Sequence, residues 1–187
     1  MGASLRTPMT LDAFLAWEDR QEMRYEFDGV STIAMVGGTQ EHHLIQANLT
    51  SALHARLRGK PCRVFGDSMK IEVAGRIRYP DAFVVCKTYP RGTKVIPDPV
   101  IVFEIISPST ADTDRIIKCQ EYRDTPSIQR YIMLEQDFAG AFVLHRSAAH
   151  WTATAVPADG VISLPEIDVE LPVAELYEGV DLPDPPT

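Results

Sequence analysis

The sequence predicts an α/β protein, an α+β mixed sheet with flanking helices, and three observations carry that expectation. Apolar runs of strand length alternate with stretches of helical spacing along the first 146 residues. One run, VIVFEII at 100–106, is the near-continuous Val/Ile pattern of a strand covered on both faces. Turn-forming pairs and a Pro-containing loop punctuate the pieces, at Asp28-Gly29, Ala74-Gly75 and YPRGTKVIPDP.

Taken in order, Thr10 is placed to cap a short helix running to about residue 20, with Leu11, Phe14 and Leu15 on one face. Residues 25–36, YEFDGVSTIAMV, read as a hairpin turning at Asp28-Gly29. Ile45, Leu49, Ala52, Leu53 and Leu57 recur at helical spacing, which predicts a helix over 40–58 that stops at Gly59. Strands are predicted at 62–73 and 76–86, then at 100–106. Ser109 or Thr110 would cap a helix over 111–123, and strands at 130–135 and 141–146 follow. Residues 1–180 read as one domain, with 181–187 a disordered acidic, Pro-rich tail.

Composition bounds the function. No apolar run approaches the roughly 20 residues that span a bilayer, and the N-terminus lacks the hydrophobic stretch of a signal peptide. Cys62, Cys86 and Cys119 form no CxxC pair and cannot all be bridged internally, which suits a reducing cytoplasm and argues against structural zinc. The net charge of −8 lies entirely in the last 41 residues, since no Lys or Arg follows Arg146. Residues 42–66 contain no acid and include Arg56, Arg58, Lys60 and Arg63; residues 82–97 lack acids and carry Lys87, Arg91 and Lys94. A phosphate-facing surface on an acidic protein fits that distribution, against the ordinary reading of solvated surface charge. The sequence leaves a homo-oligomer open.

Glu104 is the residue that needs explaining. Its same-face neighbours would be Val102 and Ile106, and a carboxylate there is costly without a cation or hydrogen bonds. Asp81, in YPDAFVVC, opens the preceding apolar strand. Neighbouring strands lie about 4.8 Å apart, so the two carboxylates can share one cation, and hard oxygen ligands suit Mg²⁺. Taken alone, Asp81 could equally be an ordinary turn-forming Pro-Asp. The position two residues after Glu104 is Ile106, not lysine; Lys118 on the following helix is the substitute, its alternative being a surface pair with Asp114.

The runs PDAFVV, FEIISPST, DRIIKCQEY and IQRYIMLEQD, with RYEFDGV and HHLIQANLTSAL before them, resemble the Uma-two family of endonuclease-like proteins. That family is a branch of the restriction endonuclease-like PD-(D/E)xK superfamily, and the resemblance covers roughly residues 9–137. It departs at Ile132, where an aromatic residue is usual. The resemblance implies that Asp81 and Glu104 bind Mg²⁺ or Mn²⁺ and that Lys118 is the family's lysine moved from strand to helix. Glu26 and His42 match further polar positions near that site. Hydrolysis of nucleic acid, DNA before RNA, is the implied activity, with the metal activating water and Lys118 countering charge on the phosphate. The rival readings are an inactive nuclease-fold scaffold whose acidic C-terminal segment covers the site, and a hydrolase of small phosphorylated substrates.

Overall fold

A computed structural model describes residues 9–35, 37–107, 113–148 and 150–183, with the side chains of 113 and 114 outside the description. Helix α1 (Leu11–Glu18) is capped by Thr10, whose hydroxyl accepts from the amide of Ala13. Strands β1 (Tyr25–Phe27) and β2 (Thr32–Ala34) form the expected hairpin. Its turn is fixed by the Asp28 carboxylate, which accepts from the amides of Val30 and Ser31, and by Gly29 at φ +95°. Helix α2 (Gln40–Leu57) ends before Gly59, which takes the left-handed backbone that stops helices.

The two long strands expected at 62–73 and 76–86 are each broken. Strands β3 (Arg63–Gly66) and β4 (Lys70–Val73) lie in different sheets, as do β5 (Arg76–Arg78) and β6 (Ala82–Val85). The chain changes sheet at Asp67–Met69 and returns at Tyr79–Asp81, where Asp67-Ser68 and Pro80-Asp81 supply turn-forming residues. The Pro-containing loop holds a short strand, β7 (Val95–Ile96), parallel to β4. Strand β8 (Ile101–Ile106) is wholly buried, as its Val/Ile run predicts. Beyond it, Thr113–Lys118 is a π-helical turn leading into α3 (Cys119–Asp124), where an ordinary helix was expected; Ser109, Thr110 and Ala111 lie outside the described residues.

Strands β9 (Arg130–Glu135) and β10 (Gly140–Arg146) match expectation. The sequence reading did not find β11 (Trp151–Pro157), β12 (Val161–Leu164), β13 (Val169–Pro172) or the short α4 (Val173–Leu176). Five strands form one sheet in the order β2-β1-β5-β4-β7, six form a second in the order β11-β10-β9-β8-β6-β3, and β12-β13 is a separate hairpin. The fold is α+β with mixed sheets, since β8 pairs antiparallel with β6 and parallel with β9.

Alternation along β8 divides the core. Ile101, Phe103 and Ile105 pack beneath α2 with Ile45, Leu49 and Leu53, and the C-terminal hairpin closes the same cluster through Ile162 and Leu171. Val102 and Ile106 face the other way, toward Ile71, Tyr122 and Tyr131. Burying each such side chain contributes about 1.5–3 kcal/mol, so this six-stranded sheet is a firm platform. Among the described residues no helix is long and apolar enough to cross a membrane. The cysteines correct one expectation: Cys62 and Cys86 flank the β3–β6 pair with Cα atoms 3.9 Å apart and form a disulfide, leaving Cys119 buried and free. Antiparallel pairing, not sequence spacing, brings them together, and the case for a reducing compartment loses that support.

Candidate active site

The chain's return to the six-stranded sheet at Asp81 builds the site. The β6–β8 pairing begins at Ala82 opposite Phe103, so Asp81 sits just beyond the end of β6, beside the strand that carries Glu104. The amide of Ile105 donates to Asp81 Oδ2 at 2.7 Å, which ties that carboxylate to the strand bearing Glu104. His42, in the first turn of α2, places Nε2 2.8 Å from Asp81 Oδ1. One helical turn on, Gln46 Nε2 donates to the Asp81 carbonyl at 3.0 Å.

Glu104 is 4% exposed and its Oε1 accepts from Lys118 Nζ at 3.0 Å and from the Tyr122 hydroxyl at 2.6 Å. Lys118 is therefore not on a solvated face, and Asp114, its proposed surface partner, lies outside the described side chains. The π-helical turn ends at Lys118, and π-helical turns inside helices are frequent at functional sites. Burial and the charge of Glu104 push the Tyr122 hydroxyl well above its ordinary pKa, so it remains a neutral donor.

Glu26, from β1, completes the ring. Its Oε1 lies 3.7 Å from Lys118 Nζ and accepts from the Tyr79 amide at 3.1 Å; its Oε2 accepts from Arg78 at 3.1 Å. Arg78 is 1% exposed and grips both oxygens of Glu121, at 2.7 and 2.6 Å. Burial opposes the charge on that guanidinium, but the Glu121 hydrogen bonds and the charges of Glu26 and Glu121 outweigh it and raise its pKa. Glu26, Glu104 and Lys118 are joined by direct polar contacts, whereas His42 contacts Asp81, which meets this group only through the backbone amide of Ile105, the residue after Glu104. Sequence reasoning missed Arg78, Glu121, Tyr122 and Gln46. Spacing could have found three of them: Gln46 follows His42 by four, and Glu121 and Tyr122 follow Lys118 by three and four, so each shares a helix face with a singled-out residue. Nothing local marks Arg78.

The donor chemistry fits a hard divalent cation. The cluster gathers three carboxylates, Glu26, Glu104 and Glu121, around two cations, Arg78 and Lys118, with Arg76 3.1 Å from Glu121. Among the described residues no three His, Cys, Asp or Glu side chains form a metal-ligating group. A pair of carboxylates with water completing the shell is a usual Mg²⁺ arrangement, and Asp81, bonded to the Ile105 amide, lies next in space to the segment that carries Glu104.

The basic segments are less open than the sequence suggests. Arg56 makes a bidentate pair with Glu175, Lys60 meets Asp168, Lys87 meets Asp98, and Lys94 meets Asp19. Glu166 pairs with Arg130. The ion pairs of Glu166, Asp168 and Glu175 thus run to α2, its C-terminal loop and β9, away from Asp81, so these acids of the C-terminal segment do not cover the site.

The mixed α+β sheet with its flanking helices is the restriction endonuclease-like fold. A family model described as "Putative restriction endonuclease" matches residues 11–174, and the chain belongs to that family, Uma2. Two relatives come from Synechocystis sp.: the uncharacterized protein slr1290 is 28% identical over 173 residues, 90% of this chain and 91% of its own length. The uncharacterized protein sll1609 is 24% identical over 133 residues, 68% of this chain and 75% of its own. Among solved structures, a "putative nuclease belonging to DUF820" from Anabaena variabilis shares the fold, with a TM-score of 0.73 at 20% identity over 91% of this chain and 98% of the other.

Proposed function

We propose that this protein is a divalent-metal-dependent endonuclease that hydrolyses the phosphodiester bonds of nucleic acid, DNA in the first instance. The observation that carries the reading is the Asp81 carboxylate tied to the amide of Ile105, the residue after Glu104, at 2.7 Å, with Lys118 Nζ 3.0 Å from Glu104. Asp81 and Glu104 would hold Mg²⁺ or Mn²⁺, which when bound supplies Lewis-acid polarisation of the phosphate and activation of water. Lys118, bonded to Glu104, would orient the attacking water or take up charge on the phosphate as the P–O bond breaks. His42 and the Ile105 amide fix the rotamer of Asp81, and Tyr122 fixes that of Glu104. Arg78 and Glu121 hold Glu26 against the far side of Lys118. The nuclease family of the chain agrees with this chemistry.

The test is incubation with supercoiled plasmid, linear duplex DNA and RNA in Mg²⁺ or Mn²⁺. Cleavage that disappears with EDTA and in Glu104→Gln is the expected result. No cleavage of any of them by folded protein returns the inactive-scaffold reading, and hydrolysis of mononucleotide phosphoesters alone returns the small-substrate reading.

A further inference from the structure

At the C-terminal end of α2 the chain forms a cleft of about 310 Å³ whose wall includes His54, Arg58, Lys60, Cys62, Arg63 and Phe65 and contains no Asp or Glu. That volume is at the small end of the range for ligand pockets, about 300–1,000 Å³. We propose that this cleft binds the phosphodiester backbone of a nucleic acid at a second point, separate from Asp81 and Glu104. The nucleic-acid identity of the ligand rests on the function proposed above; the anion-binding chemistry does not.

The cleft holds two arginines that no carboxylate among the described residues neutralises. On a chain of net charge −8, Arg56, Lys60, Lys87, Lys94, Arg115 and Arg130 each meet a carboxylate. Arg58 and Arg63 are exposed, line the same cleft and meet no carboxylate among the described residues. Lys60 Nζ is already held by the Asp168 carboxylate at 3.2 Å and the Ile167 and Asp168 carbonyls, so the two arginines are the groups open to an anion. Guanidinium forks match phosphate oxygens in geometry. Phe65, stacked on Phe83 with centroids 5.4 Å apart, adds an anchored aromatic edge, and aromatic rings beside basic groups are the pattern of nucleic-acid grooves. The disulfide Cys62–Cys86 ties the cleft wall to the sheet.

Position favours an anchoring role. The sixteen residues from His42 to Arg58 cover about 24 Å of helix at 1.5 Å per residue. A ligand reaching both ends must be a polymer, because no mononucleotide spans that distance.

The experiment is fluorescence anisotropy with a labelled DNA duplex in EDTA, so that cleavage plays no part, comparing wild type with Arg58→Gln/Arg63→Gln. Arg20→Gln, an exposed arginine outside the cleft, serves as control, and thermal melts establish that each variant is folded. Losing two phosphate contacts should make the log–log salt slope shallower by about 1.8. The affinity lost between about 50 and 200 mM salt should accordingly shrink roughly tenfold, with the control unchanged. Equal affinity and slope in the double variant and wild type overturns the proposal, as does a wild type that binds no DNA. If binding depends on the two arginines but wild type cleaves nothing in Mg²⁺ or Mn²⁺, the anchoring site stands and the nuclease reading falls. If cleavage depends on Glu104 but binding ignores the arginines, the reverse holds.

Discussion

Lys118 Nζ lies between two buried carboxylates, 3.0 Å from Glu104 Oε1 and 3.7 Å from Glu26 Oε1. One ammonium therefore compensates charge that the apolar face of β8 could not otherwise hold, and the same ammonium is the cation nearest the proposed cleavage chemistry.

That double duty makes Lys118→Ala informative. An ammonium cannot ligate a metal, so the variant should retain Mn²⁺ binding by calorimetry while cleavage falls by about two orders of magnitude or more. Its stability without metal should fall as well, because Glu104 and Glu26 lose a partner. Normal cleavage by Lys118→Ala would remove the lysine from the mechanism.

Arg78→Met tests the support beneath the site. Removing one partner from a buried ion network costs about 3–5 kcal/mol, and Arg78 serves both Glu26 and Glu121. Denaturant unfolding should report a loss on that scale, with cleavage weakened through Glu26. A change below about 1 kcal/mol, the worth of an exposed pair, would mean that the network is hydrated in solution.

How much of this could be read beforehand follows from which signals are local. Glu104 was legible because a carboxylate in an apolar strand has few affordable explanations, and Asp81 because Pro-Asp opened the neighbouring run. His42 and Glu26 came with the family resemblance; Glu26 meets Lys118 beside Glu104, and His42 meets Asp81. Arg78 was not legible, since an arginine in a strand ordinarily faces water and only the crossing between sheets buries it. The breaks at Asp67–Met69 and Tyr79–Asp81 carry turn-forming residues, Asp67-Ser68 and Pro80-Asp81, that a reading of two long strands passes over. Strand β11 escaped because its residues are small and mostly exposed, without the alternation that marks a half-buried strand.

Alkaline pH supplies an independent check on burial. Burial raises the hydroxyl pKa of Tyr79, Tyr122 and Tyr177, helped by Glu18 at Tyr79 and by Glu104 at Tyr122. Below about pH 10 these tyrosines are protonated in both folded and unfolded chains and leave stability unchanged. Above it the unfolded chain releases protons that the folded chain keeps, so stability falls as pH rises toward the folded values. Tyrosinate absorbance should show at least three of the six tyrosines ionising only with loss of tertiary structure. Six ordinary titrations in a folded protein would contradict the packing around Glu104 and Glu18.

The central claim is that Asp81 and Glu104 share one divalent cation, and anomalous scattering from a crystal soaked in Mn²⁺ tests it most directly. The account predicts a single strong peak between the two carboxylates, within about 2.0–2.2 Å of one oxygen from each, the span expected for a small octahedral cation. A peak elsewhere in the molecule, or none while Lys118 and His42 keep their bonds to Glu104 and Asp81, would contradict it.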